Sequence, residues 1–168
     1  TVIDNLTSDS SDINNKHDGV NYIIDDINNI NNEEYQNISY DLIFHLAALA
    51  RIQPSFEDPV SYFQSNVLGT VSICELARRC GAKIMYAASS SAEAGPKLNP
   101  YAFTKYTGEE ILKMYAELYD ISTVRAVIVA PPSLPFSIKS LSDTAVWITI
   151  SVDEFVIRPN SVPASLNI

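Results

Sequence analysis

Glycine is scarce in this chain. Five are present in 168 residues, at positions 19, 69, 81, 95 and 108, and no three of them are spaced as GxxGxxG. The residues given therefore hold no glycine-rich turn of the kind that lays a pyrophosphate on a helix N-terminus. Cysteine is rarer still: Cys74 and Cys80 are the two, six apart, with no CxxC and no clustered histidines. That spacing gives neither a metal site nor a disulfide framework, so two free thiols in a reducing compartment are expected. Basic residues number 11 against 20 acidic ones, for a net charge of −9. Such a balance argues against nucleic acid or an anionic membrane as partner. No apolar run approaches the roughly 18–20 residues of a membrane span, and no signal-peptide pattern is present, so a cytoplasmic protein is expected. The first residue is Thr1 rather than methionine, and a fragment is expected.

What is there is enough for one domain with a real core: 46% of the residues are apolar, an ordinary globular share. Short apolar phrases, "TVID" and "VNYIID", read as strands that end in carboxylates, joined by a polar loop containing Gly19. "DLIFHLAA" (41–48) and "AKIMYAA" read as strands of the buried type, apolar on both faces. From 59 to 81, Val60, Phe63, Val67, Val71, Cys74 and Ala77 recur at helical spacing, and Gly81 stands where a helix stops. From 99 to 120 a second helix is predicted, with Asn99 as N-cap and Pro100 in its first turn. "STVRAVIVA" (122–130) closes the series as a strand. Alternation of this kind predicts a parallel, doubly wound α/β sheet with its chemistry at the carboxyl ends of the strands.

Six phrases in order carry a resemblance: "VIDNLTS" (2–8), "DDI" (25–27), "FHLAALA" (44–50), "NVLGT" (66–70), "YAASSS" (86–91) and "YAFTK" (101–105). Over roughly residues 1 to 124 the chain resembles the extended short-chain dehydrogenase/reductase family, the NAD-dependent epimerase/dehydratases of nucleotide sugars. The resemblance implies a Rossmann-like sheet, NAD as cofactor and a nucleotide sugar as substrate. It implies cofactor contacts from Asp4 and Asn5 after the first strand and from Asp26 and Ile27 after the second. Further contacts would come from Leu46, Ala47 and Ala48 after the third, and from Asn66, Tyr101 and Lys105. A carboxylate at Asp4 can accept both hydroxyls of an adenine ribose, which favours NAD over its 2′-phosphorylated form. His45 reads as a core histidine.

Tyr101 and Lys105 lie one helical turn apart. A phenol of pKa about 10 is a poor base at neutral pH, and a nearby ammonium favours its phenolate. With Ser89 bonding the substrate oxygen, Tyr101 would move a proton while hydride passes to or from the nicotinamide. Ser89, Tyr101 and Lys105 are thus the expected catalytic residues. Ser90 and Ser91 stand where a dehydratase would carry its acidic pair, which favours a 4-epimerase. The alternatives are an inactive remnant that keeps a dimerisation surface, or a reductase of a non-sugar carbonyl. In the family the helices at 59–80 and 99–119 commonly pair into a homodimer, and that is the expected oligomer.

Three departures accompany the resemblance. The chain starts at what would be the second strand, without the first strand and its glycine-rich turn. The loop between Ser89 and Tyr101 is short. After Val124 the family's usual strand end and Tyr-Gly-Pro turn are replaced by "RAVIVAPPSLPFSIKS", and a partial NAD-binding domain at 1–130 and a tail without resemblance at 131–168 are expected.

Overall fold

The computed structural model describes residues 1–7 and 16–127. The expected tail at 131–168 and the last residues of the strand predicted to 130 lie outside them. The elements are β1 (Val2–Asp4), β2 (Tyr22–Ile24), 3-10 turns at Ile27–Asn29 and Glu33–Tyr35, and β3 (Leu42–His45). They continue with α1 (Ile52–Glu57), α2 (Pro59–Tyr62), a π-helical segment (Phe63–Leu68), α3 (Gly69–Cys80) and β4 (Lys83–Ala87). The series ends with α4 (Ser90–Ala94), α5 (Pro100–Tyr119) and β5 (Thr123–Ala126).

Every strand pairing is parallel, as a strand–helix–strand order requires. β1 pairs with β2, and β3, β4 and β5 pair in that order. Among the described residues no backbone ladder joins the two sheets, so β1 and β3 each keep an unpaired edge. They share a core instead. Ile3, Ile23 and Ile43, from β1, β2 and β3, pack against one cluster. It includes Ile73, Cys74 and Leu76 of α3, Ile84 and Tyr86 of β4, and Leu112 and Tyr115 of α5. The arrangement is the expected Rossmann-like α/β sheet in incomplete form.

The helix ends follow their sequence signals. Asn99 accepts the N–H of Ala102 at 2.8 Å, and Pro100 fills the first turn, where a missing N–H costs nothing. α3 stops at Gly81, whose φ of 71° puts it in the left-handed region, where glycine meets no Cβ penalty.

Two expectations are corrected. In the helix from 59, Val60 and Phe63 are 63% and 40% exposed, whereas Tyr62, Asn66, Thr70 and Ile73 are buried. The π-helical segment widens one turn and shifts the phase, so the inward stripe is partly polar there. β3 is not covered on both faces among the described residues, because Leu42 and Phe44 are 49% and 60% exposed. It is the edge of its sheet, and α3 and α5 cover the side on which Ile43 lies.

Gly108 lies where α5 crosses Tyr86. A Cβ there would overlap the Tyr86 hydroxyl, lie 3.0 Å from Cζ and stand 3.4 Å from the Thr70 hydroxyl. Tyr86 is 1% exposed and has no room to retreat. Helix propensity favours alanine by about 1 kcal/mol, but overpacking costs about 1–3 kcal/mol. Gly108→Ala is expected to lower the urea midpoint of unfolding, and a raised midpoint would refute this packing.

Candidate active site

At the ends of β1 and β2, Asp4, Asn5 and Asp26 come together. The Asp4 carboxylate accepts the N–H of Leu6 at 2.7 Å, and Asn5 donates its amide to Asp26 at 3.0 Å. Asp26 also caps the first 3-10 turn, accepting the backbone and side-chain N–H groups of Asn28, each at 2.8 Å. The backbone N–H of Asn28 is the main cause that holds the Asp26 carboxyl below its ordinary range; burial opposes it and Asn5 assists. Ile27 turns inward, 8% exposed, against the place where a Gly69 side chain would stand.

The segment after β3 runs through Leu46, Ala47 and Ala48 to Arg51 and is held from below by α2 and the π-helical segment. The Asn66 carboxamide accepts the N–H of Leu49 at 2.8 Å and donates to the carbonyl of Leu49 at 3.0 Å. It also donates to the Thr104 hydroxyl of α5 at 3.0 Å. Asn66, expected at the nicotinamide end, is 1% exposed and engaged with the protein itself. The Tyr62 hydroxyl shares its one proton between the carbonyls of Ala50 and Arg51. Arg51 has φ 80° and ψ 142°, a conformation that side chains seldom adopt.

Beneath this loop His45 is 3% exposed. Thr70 gives its single hydroxyl proton to the carbonyl of Asn66 at 2.6 Å, so it must accept from His45 Nε2, 3.0 Å away. That fixes the tautomer: Nε2 carries the proton, and Nδ1 is a buried acceptor without a partner among the described residues. Burial first, and the Lys105 charge second, push the His45 pKa down to about 3. It is a neutral core residue, as read from the sequence.

Tyr101 lies in the first turn of α5, partly exposed, its ring edge-on to that of Tyr62 with centroids 6.2 Å apart. Lys105, one turn on, is 4% exposed. Its ammonium stands 4.1 Å from the centroid of the Tyr86 ring, and no hydrogen bond ties it to Tyr101. Burial pushes its pKa down to about 8, against the opposing pull of Glu109. Ser89, 9% exposed, caps α4 by accepting the N–H of Ser91 at 3.2 Å. That bond uses a lone pair, so the Ser89 hydroxyl proton stays available to a substrate oxygen. α4 and α5 are joined through Arg125 of β5, which pairs with Glu93 at 2.8 Å and Glu109 at 3.2 Å. No three His, Cys, Asp or Glu side chains among the described residues converge as metal ligands, and no helix among them is long and apolar enough to cross a membrane.

The profile of the NAD dependent epimerase/dehydratase family matches residues 1–134. The chain belongs to that family. The UDP-glucuronate 4-epimerase of Thermodesulfobacterium geofontis is 35% identical over 114 residues, which are 59% of this chain and 35% of that protein. The UDP-glucose 4-epimerase of Mycolicibacterium smegmatis is 35% identical over 95 residues, 48% of this chain and 30% of that protein. The solved UDP-glucose 4-epimerase of Thermus thermophilus in complex with NAD superposes with a TM-score of 0.62. It is 26% identical and covers 73% of this chain and 44% of its own. The chain thus spans less than half the length of each of these relatives.

As a family member, the chain places its Tyr-x-x-x-Lys pair on a helix and its serine at a strand end, where the motifs predicted them. Sequence reading missed Tyr62, Arg51 and the Glu93–Arg125–Glu109 cluster. Tyr62 precedes Asn66 by four residues, a helical spacing that a search for polar stripes would have found. The Arg51 backbone left no sequence signal.

Lys105 gives a signed pH dependence. Its pKa falls from 10.5 to about 8 on folding, so between those values the unfolded chain holds a proton that the folded chain lacks. Stability therefore rises with pH across that window, and the buried charge is a full cost below it. Lys105→Met is expected to stabilise the chain at pH 7 by about 2–3 kcal/mol, with the gain vanishing towards pH 10.5. Urea titrations at both pH values check this; a destabilised variant at pH 7 would refute it.

Proposed function

We propose that these residues are the proton-transfer part of an NAD-dependent 4-epimerase of nucleotide sugars. One observation carries the reading: a buried ammonium, Lys105, bonds no acceptor among the described residues and lies one turn from Tyr101 on the same helix. A desolvated cation costs stability and persists where it has a task. Its tasks here are to hold the hydroxyls of a nicotinamide ribose and to favour the Tyr101 phenolate. When bound, NAD supplies a reversible hydride acceptor. Tyr101 takes the proton from the sugar's C4 hydroxyl and returns it, and Ser89 donates its free hydroxyl to the same oxygen as its charge changes. Asp4, with Asn5 and Asp26 beside it, would hold the adenosine end. The small residues of the 46–48 segment would let the backbone approach the cofactor closely.

Val60, Phe63, Leu68, Phe103 and Tyr106 are exposed apolar residues on the two helical stretches, and the Phe63 and Phe103 rings meet with centroids 6.0 Å apart. These helices support a homodimer through that surface. Phe103→Asp is expected to halve the mass measured in sedimentation; an unchanged mass would refute that interface.

Catalysis is tested by grafting residues 1–127 in place of the matching stretch of the Thermodesulfobacterium relative. Tyr101→Phe in that chimera is expected to lower epimerisation by about 10²–10⁴-fold with the fold intact, because a phenyl ring exchanges no proton. Turnover unaffected by the substitution would overturn the assignment. The 168-residue chain itself, without a glycine-rich turn, lacks several hydrogen bonds to the pyrophosphate of about 1.5–3 kcal/mol each. It is expected to bind NAD more weakly than about 1 μM by calorimetry.

A further inference from the structure

Ser89 stands between two tethers to neighbouring residues of β5. Just before it, the N–H of Ala88 donates to the carbonyl of Ala126 at 2.8 Å. One turn after it, the Glu93 carboxylate meets Arg125 at 2.8 Å. Between the tethers lies α4, five residues long, far too short to hold itself together in water. Its own backbone bonds are few: Ala92 N–H to the Ser89 carbonyl at 3.0 Å and Gly95 N–H to the Ser91 carbonyl at 3.3 Å. The place of this helix is therefore set from outside. The same Arg125 reaches α5, where it meets Glu109 at 3.2 Å. Glu109 lies one helical turn beyond Lys105, and its side chain is 11% exposed. In the β4–β5 register Arg125 is the partner of Tyr86, whose ring centroid is 4.1 Å from the Lys105 ammonium. A guanidinium presents its donors in a rigid planar fork, so a grip on two carboxylates at once fixes their separation.

We infer that Arg125 is a positioning residue: by holding Glu93 of α4 and Glu109 of α5 together, it fixes where Ser89 stands relative to Tyr101 and Lys105. This rests on the 4-epimerase reading above. Ser89 must reach the same sugar oxygen as Tyr101, so the offset between α4 and α5 decides whether both can bond it at once. Arg125 acts through the two carboxylates and moves no proton itself. Glu93 is 47% exposed and Arg125 30%, so their pair contributes little to global stability. What it supplies is a fixed place for α4.

Two variants cut the tie to α4 from opposite ends: Glu93→Gln removes the acceptor charge and Arg125→Met the donor. In the 168-residue chain, amide hydrogen exchange followed by NMR is expected to quicken about fivefold at Ala92 and Gly95 in both. The α5 amides of Leu112 and Tyr115 should hold their rates in Glu93→Gln, which leaves the Glu109 pair intact. Arg125→Lys should keep part of the protection. Unchanged exchange at Ala92 and Gly95, or an equal rise in α4 and α5 for Glu93→Gln, would overturn the inference. In the chimera carrying residues 1–127, Arg125→Met is expected to lower kcat about tenfold with KM unchanged. Ser89→Ala alone should lower kcat about 10²-fold, but only about tenfold when added to Arg125→Met, because a displaced serine has less to lose. Losses that multiply in full would overturn the inference and leave the epimerase reading standing. A chimera without Tyr101-dependent turnover would overturn the epimerase reading, and with it the role given to Arg125, whatever the exchange rates.

Discussion

The Asn66 carboxamide meets three partners while 1% exposed, and those partners come from the loop after β3 and from α5. The carbonyl of the same residue accepts from Thr70, which accepts from His45. One hydrogen-bonded chain thus runs from β3 through α3 and the π-helical segment to α5 and the loop over the site. Buried polar groups must be satisfied, and each one left unpaired costs about 1–3 kcal/mol. That requirement makes the loop's path discrete rather than approximate, because Leu49 has its N–H and its carbonyl fixed by one side chain. Tyr62 continues the restraint one and two residues on, at the carbonyls of Ala50 and Arg51.

Much of this was legible from residues alone, and the reasons differ from place to place. The start of α5 was readable because Asn99 and Pro100 act locally, and its partner Lys105 because helical spacing is rigid. The end of α3 was readable because Gly81 takes a left-handed conformation at no cost. The inward face of the helix from 59 was misread, since apolar Val60 and Phe63 point outward while Asn66 and Thr70 point in. Hydropathy spacing assumes a uniform turn and an apolar interior, and a π-helical segment beneath a polar clamp violates both. α1 and α4 are short helices whose existence depends on tertiary contacts. Asp26 was expected at the adenosine end from its place after the second strand. Its capping of a 3-10 turn and its bond from Asn5 required coordinates, since they join residues 21 apart.

The buried charges show what the site demands of the fold. Lys105 is desolvated over an aromatic face, a weaker refuge than a carboxylate. Glu109 is largely shielded from solvent, and although Arg125 binds one of its oxygens, the other is buried without a partner among the described residues. Burial is the main cause that raises its pKa. A core chosen for stability alone would replace these groups with apolar ones. Their presence on α5, against Tyr86 of β4 and Arg125 of β5, is consistent with the proposed site of a serine, a tyrosine and a lysine.

The two sheets share a layer of side chains and no backbone ladder among the described residues, and this has a consequence for how the molecule breathes. The segment around β1 and β2 is held by Ile27, Ile30 and Tyr35 and by the bonds of Asn31 to Ser72 and Arg79. Losing those contacts requires no rupture of the β3–β4–β5 ladder. In the chain as given, such a segment is expected to open as a separate unit, its amides exchanging with solvent at a free energy below that of global unfolding. The proposed adenosine end and the proposed proton-transfer end would then belong to different units. A dinucleotide laid across both would join two units of unequal stability, and part of its binding energy would go into suppressing their independent motion.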